Sequence, residues 1–125
     1  PAPVRGAVPY QMNLKDFSCG DKKWLVAVFT SSTCDACRDV ATKARVLESN
    51  EVAVEIIDFL EKGDLHKRYQ IDSVPTTVIA DIEGVVRFAT VGPLTATDLW
   101  AALAKCRDPE VLSDVLSCRD ENHDH

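Results

Sequence analysis

Residues 23–40 read KWLVAVFTSSTCDACRDV, and a change of pattern inside this stretch decides the fold. Lys23 to Thr30 is an almost unbroken run of apolar, β-branched and aromatic residues. It is too short for a buried helix and has the composition of a central strand covered on both faces. From Cys37 onward, Val40, Ala41, Ala44 and Leu47 recur at three- and four-residue intervals, with Arg38, Asp39, Lys43, Arg45 and Glu48 filling the other face. That predicts a helix that starts at the cysteine pair and ends at Asn50. Cys34 and Cys37, separated only by Asp35 and Ala36, therefore sit at a strand-to-helix junction. They could be a redox pair, half of a metal site, or two buried thiols.

Outward from the junction, VAVEIID (Val52–Asp58) supplies a second β-rich run, and the polar segment Glu61–Tyr69, with Leu65 and Tyr69 four apart, predicts a short helix. VPTTVIA (Val74–Ala80) and GVVRFATV (Gly84–Val91) flank the short acidic turn DIEG, which is a hairpin signal. TATDLWAALAKC follows, with Thr95 as its N-cap and Leu99, Ala102, Leu103 and Cys106 on one face. A strand-helix-strand unit requires a parallel pair with a right-handed crossover, and the hairpin adds antiparallel strands. The expected fold class is thus α/β, a mixed parallel/antiparallel sheet sandwiched by helices. Residues 1–12 read as an extended lead-in with room for a short strand, 13–107 as the domain, and 108–125 as an extension: a helical patch, EVLSDVLSC, running into the polar tail RDENHDH.

The 125 residues suit one domain, and 46% apolar with 27% charged residues is the balance of a globular protein rather than a disordered one. No stretch is apolar enough to span a bilayer. The net charge of −6, with basic residues scattered among acids, argues against a nucleic-acid surface. The five cysteines, Cys19, Cys34, Cys37, Cys106 and Cys118, are odd in number and irregular in spacing, so they do not read as a disulfide framework.

A Cys-x-x-Cys pair at a helix start has a specific physical use. The first sulfur lies at the positive end of the helix dipole beside unpaired N–H groups, which stabilise its thiolate. The second, one turn on, can attack a mixed disulfide formed by the first. Cys34 and Cys37 fit those roles. A zinc site needs a second ligand pair, and no other Cys-x-x-Cys exists in the chain. Two inert core thiols are the other alternative, and the polar flanks Ser31, Ser32, Thr33 and Asp35 count against it.

Three stretches together, VAVFTSSTCDAC, YQIDSVPTTVI and GVVRFATVGPLTATDLWAAL, resemble the thioredoxin-like family over roughly residues 12–105. The resemblance implies a thioredoxin fold and a thiol-disulfide oxidoreductase with Cys34 as nucleophile and Cys37 as resolving thiol. It makes Pro75 a cis-proline, with Val74 offering its backbone to an extended substrate segment, and places Gly92 near the substrate groove. Thr33, Asp35 and Ala36 would complete that groove. Expected partners are protein thiols or disulfides and a redox partner, with no cofactor and no metal.

Two departures bear on mechanism. Thr33-Cys34-Asp35-Ala36-Cys37 stands where a general thioredoxin has Trp-Cys-Gly-Pro-Cys, so an acid lies between the sulfurs and opposes the thiolate, while Arg38 favours it. Val28 stands where thioredoxins bury an aspartate that helps move the proton of the resolving cysteine. Water or another acid, such as Asp58, would have to serve instead. A different class of reading is a non-catalytic module that binds a partner or a metal through the same groove.

Among the leftover residues, Cys19 reads as a loop thiol without catalytic role, Cys106 as a core residue, and Trp24 and Trp100 as packing residues. Cys118, His123 and His125 could form a C-terminal metal clip, although an acidic tail carries histidines by composition alone. The chain starts at Pro1 without a Met, which with the missing buried acid leans toward a processed or membrane-anchored protein outside the cytoplasm. The unpaired cysteines lean toward a cytoplasmic one.

Overall fold

A computed structural model describes residues 8–108. Four strands and three helices follow in the order β1 (Trp24–Thr30), α1 (Asp35–Arg45), β2 (Val52–Asp58), α2 (Gly63–Arg68), β3 (Thr76–Ala80), β4 (Val86–Val91) and α3 (Ala96–Arg107), preceded by a single 3-10 turn at Leu14–Asp16. The sheet order is β2-β1-β3-β4. β1 runs parallel to β2 and antiparallel to β3, and β3 is antiparallel to β4, so the sheet is mixed as the sequence predicts.

β1 is central, and six of its seven residues are buried. Its alternate side chains divide between two cores. Leu25, Ala27 and Phe29 pack with Met12, Phe17, Ile57, Leu65 and Val78 on one face. Val26 and Val28 pack with Val40, Ala44, Ile79, Leu99 and Leu103 beneath α1 and α3 on the other. Fully burying each such side chain contributes on the order of 2 kcal/mol, which is why this run stays a strand despite its all-apolar pattern.

Four details correct or add to the sequence expectation. α1 ends at Arg45, because Leu47 N–H closes a tight turn onto the Ala44 carbonyl and leaves Val46 80% exposed. Residues 10–12 are tied into the sheet: Met12 is buried, its N–H donates to Gly84 O at 2.7 Å, and Tyr10 O accepts from Val86 N–H at 2.9 Å. Cys19 lies in a loop as expected, but its side chain is in the core, with Sγ 3.8 Å from the Leu14 carbonyl. Trp100 is 61% exposed and does not pack, since the inward face of α3 is taken by Leu99 and Leu103. The helical patch and tail expected beyond Asp108, with Cys118, His123 and His125, lie outside the described residues.

No helix among the described residues is long and apolar enough to cross a membrane.

Candidate active site

The first turn of α1 is built by the cysteine pair itself. Cys34 is the N-cap, in extended backbone geometry, and its Sγ accepts the Cys37 N–H at 3.1 Å. Sulfur here does what Ser or Asp does at most helix starts: it satisfies one of the first N–H groups that have no intrahelical partner. The loop before it is held by Ser31, whose carbonyl accepts the Cys34 N–H at 3.1 Å and whose hydroxyl lies 3.2 Å from that of Thr33. In the sequence Ser31 reads only as a polar flank. Its spacing of three from Cys34 is the signal that it closes a turn.

Cys34 and Cys37 are joined as a disulfide, with Cα atoms 5.2 Å apart. The two sulfurs are not equivalent. Cys34 is half-buried, whereas Cys37 is 1% exposed. Asp35 points entirely into water and approaches Arg38 at 4.0 Å, so the acid between the sulfurs is solvated rather than buried against them. Ala36 is half-buried and Thr33 exposed.

The strand ends bring the other expected residues to the same end of the sheet. Phe29 pairs with Thr76, and Thr76 with Val91, which sets Pro75 and Gly92 beside the end of β1 from which the loop to Cys34 departs. The Val74–Pro75 peptide bond is cis, Pro75 is buried, and its carbonyl accepts the Gly92 N–H at 2.8 Å. Gly92 has φ +106°, which only glycine adopts freely.

A small cavity of about 180 Å³ adjoins the pair, lined by Thr30, Cys34, Cys37, Ile56 and Asp58 among others. Asp58 pairs with Thr30 in the β1–β2 register, and its carboxylate accepts the Leu60 N–H at 3.0 Å. Val28 is fully buried between Ile56 and Thr77, so no acid lies beneath the pair at that position.

The remaining thiols are of another kind. Burial pushes the Cys19 thiol up, against a backbone hydrogen bond and with a further push from Glu55. Burial also raises Cys106, opposed by Arg87 and Lys105. Both are free thiols held toward their protonated form. Among the described residues no group of three or more His, Cys, Asp or Glu is arranged to hold a metal.

A mixed sheet between helices, with a disulfide-bonded Cys-x-x-Cys at a helix start, supports a thiol-disulfide oxidoreductase-like role in general. The family model of the thioredoxin-like domain matches residues 10–107, and the chain belongs to that family. Solved structures agree. A mutant thioredoxin from Halobacterium salinarum is 28% identical, with a TM-score of 0.59 over 74% of this chain and 80% of its own. Thioredoxin-2, a component of the malaria parasite protein secretion machinery, is 19% identical with a TM-score of 0.60, covering 66% of this chain and 82% of its own. A further malarial protein is 17% identical with a TM-score of 0.60, over 67% and 97%. The last two show likeness of fold. No curated protein sequence matches the chain.

Proposed function

We propose that the protein exchanges the Cys34–Cys37 disulfide with protein thiols through a mixed disulfide at Cys34. The observation that carries this reading is the asymmetry of the pair: a half-exposed sulfur capping the helix and a resolving sulfur that is 1% exposed behind it. In the reducing direction, the Cys34 thiolate attacks a substrate disulfide, forming one S–S bond and releasing one substrate thiolate. Cys37 then attacks Cys34, releasing the second substrate thiol and closing the Cys34–Cys37 disulfide. Two electrons pass to the substrate, and the reverse sequence oxidises it.

The second step needs the Cys37 proton removed. With Val28 in place of an acid beneath the pair, Asp58 is the carboxylate that lines the cavity shared with Cys37, and we assign it this proton. Thr33, Asp35 and Ala36 on one side, and Val74, Pro75 and Gly92 on the other, form the groove for an extended substrate segment.

The test is a redox titration in glutathione buffers, with thiol alkylation and mass mapping of each cysteine. A single two-electron transition confined to Cys34 and Cys37 is expected, and its midpoint gives the direction of electron flow within the range of about −270 to −120 mV that such proteins span. A pair that stays reduced throughout, or that oxidises only together with Cys106, would refute the reading.

A further inference from the structure

The largest groove among the described residues, about 920 Å³, lies between α3 and β4 and shares no lining residue with the cavity at the cysteine pair. Trp24, Phe88 and Leu94 give it apolar walls, and all three are only half-buried. Such a surface costs free energy in water unless something covers it. Along its α3 side run Asp98, Ala101, Ala102 and Lys105, whose spacing of three, four and seven residues from Asp98 puts them on one face of the helix. Asp98 stands in the first turn of α3 and Lys105 in the last. Neither has an ion pair among the described residues, whereas Arg87, the other cation lining the groove, is engaged by Asp81.

We propose that this face docks a second copy of the same chain, α3 against α3 about a two-fold axis. A helix with an unpaired acid at its start and an unpaired base at its end, both on one face, complements itself when a copy lies antiparallel to it. Asp98 of each copy then meets Lys105 of the other, which gives two reciprocal ion pairs and opposes no like charges. The separation to be matched, about 10 Å for seven residues of helix, is the same in both copies. Asp81 and Arg87, the remaining charges on the groove, neutralise each other within each chain.

The same symmetry brings Ala101 of one copy opposite Ala102 of the other at the axis. With only methyl side chains there, the two helices can approach to about 8 Å, the close end of the packing range. At that distance each α3 enters the other copy's groove and covers the exposed parts of Trp24, Phe88 and Leu94. α3 begins soon after Gly92, at the end of the sheet that carries the cysteine pair, whereas Lys105 lines the groove together with Trp24, the first residue of β1, at the opposite end. Antiparallel helices therefore set the two cysteine pairs at opposite ends of the dimer, both open to substrate.

Sedimentation velocity on the full chain tests this, with a non-reducing gel to show that any dimer is non-covalent. Between about 5 µM and 1 mM protein at low salt, the wild type is expected to pass from monomer to dimer. Asp98→Lys and Lys105→Asp each set like charges against each other twice across the axis, and each is expected to raise the dimer Kd at least about tenfold. The double variant Asp98→Lys/Lys105→Asp restores opposite charges and is expected to return to within about threefold of wild type. An equimolar mixture of the two single variants is expected to associate more tightly than either variant alone, which tests the same pairing without the double variant. Circular dichroism checks the fold of each. A wild-type chain that stays monomeric throughout overturns the proposal whatever the variants do, and so does a dimer held only by a disulfide. A non-covalent dimer whose Kd is unmoved in natively folded single variants, or that the mixture fails to restore, places the interface elsewhere and also overturns it. None of these readouts depends on redox activity.

Discussion

Replacing Cys34 in two ways separates its chemical role from its structural one. Cys34 Sγ accepts the Cys37 N–H at 3.1 Å as the cap of α1. Serine is among the preferred N-caps and alanine is not, and the difference between them is about 1 kcal/mol at a typical helix start. Cys34→Ser therefore keeps the cap while removing the nucleophile, and Cys34→Ala removes both. Neither variant can form the disulfide, whose loop of about four residues contributes on the order of 2 kcal/mol in the chain-entropy account. Urea denaturation at neutral pH is expected to place oxidised wild type about 2 kcal/mol above Cys34→Ser, and Cys34→Ala a further ~1 kcal/mol below. Both variants are expected to lose disulfide exchange with a protein substrate completely. Equal stabilities for Ser and Ala, within about 0.3 kcal/mol, would show that the side chain at 34 is no cap. Residual turnover in Cys34→Ser would move the nucleophile elsewhere.

Three further expectations follow from the hairpin and the site. Asp81 Oδ1 accepts from the Glu83 and Val85 N–H groups at 2.9 and 3.0 Å, and Oδ2 from Arg87 Nε at 2.9 Å. Burial pushes its carboxyl up, but these bonds and the guanidinium outweigh that and hold it below the usual carboxylate range. Asp81→Ala should cost about 2 kcal/mol at pH 7. Because the folded pKa is depressed, this contribution is complete above the unfolded value of about 3.9 and fades as pH falls through the folded one. Denaturation curves with a constant difference from pH 7 down to acid would refute it. Gly84 has φ +81°, and a Cβ there would run into the Met12 carbonyl, so Ala at 84 should destabilise by at least about 2 kcal/mol in thermal melts and loosen residues 10–12. Asp35→Asn should change the alkylation rate of Cys34 in the reduced protein less than about threefold at physiological salt, since the carboxylate is fully exposed and screened. A tenfold change would show that this acid does act on the sulfur.

What the sequence disclosed depends on how local its cause is. β1, β2, the hairpin and α3 were legible because burial on a sheet and helix amphipathicity write period and composition directly into neighbouring residues. The Thr95 cap was legible for the same reason, and its hydroxyl accepts the Asp98 N–H at 3.0 Å. The early end of α1 was not, because Leu47 keeps the helical spacing while lying in the turn beyond it. Residues 10–12 look like a lead-in locally, and only the partner at Gly84–Val86, more than seventy residues on, makes them part of the sheet. Trp100 reads as a packing residue and is exposed, whereas Cys19 reads correctly as a loop residue but gives no sign of its burial. A tryptophan on an amphipathic helix and a cysteine between polar neighbours carry no mark of which way the backbone turns them. At the site, both cysteines and their order were readable, but not their unequal exposure.

That unequal exposure makes the proton of Cys37 the pressing chemical question. Val28 and Ile56 exclude charge from the face beneath α1, and Thr77 Oγ1, on the strand beside Val28, is buried without a hydrogen-bond partner among the described residues. A hydroxyl of that kind cannot serve as a base near neutral pH. The cavity next to Cys37 instead offers one carboxylate, Asp58. If Asp58 takes the proton, Asp58→Asn slows release of glutathione from a Cys34 mixed disulfide by at least about tenfold at pH 7, the low end of what a positioned base contributes. The deficit shrinks as pH rises, because hydroxide then removes the same proton without help. Formation of the mixed disulfide, which needs only Cys34, keeps its wild-type rate. Stopped-flow release across pH 6–9 measures both steps, and an Asp58→Asn profile that overlays the wild type would leave water as the base.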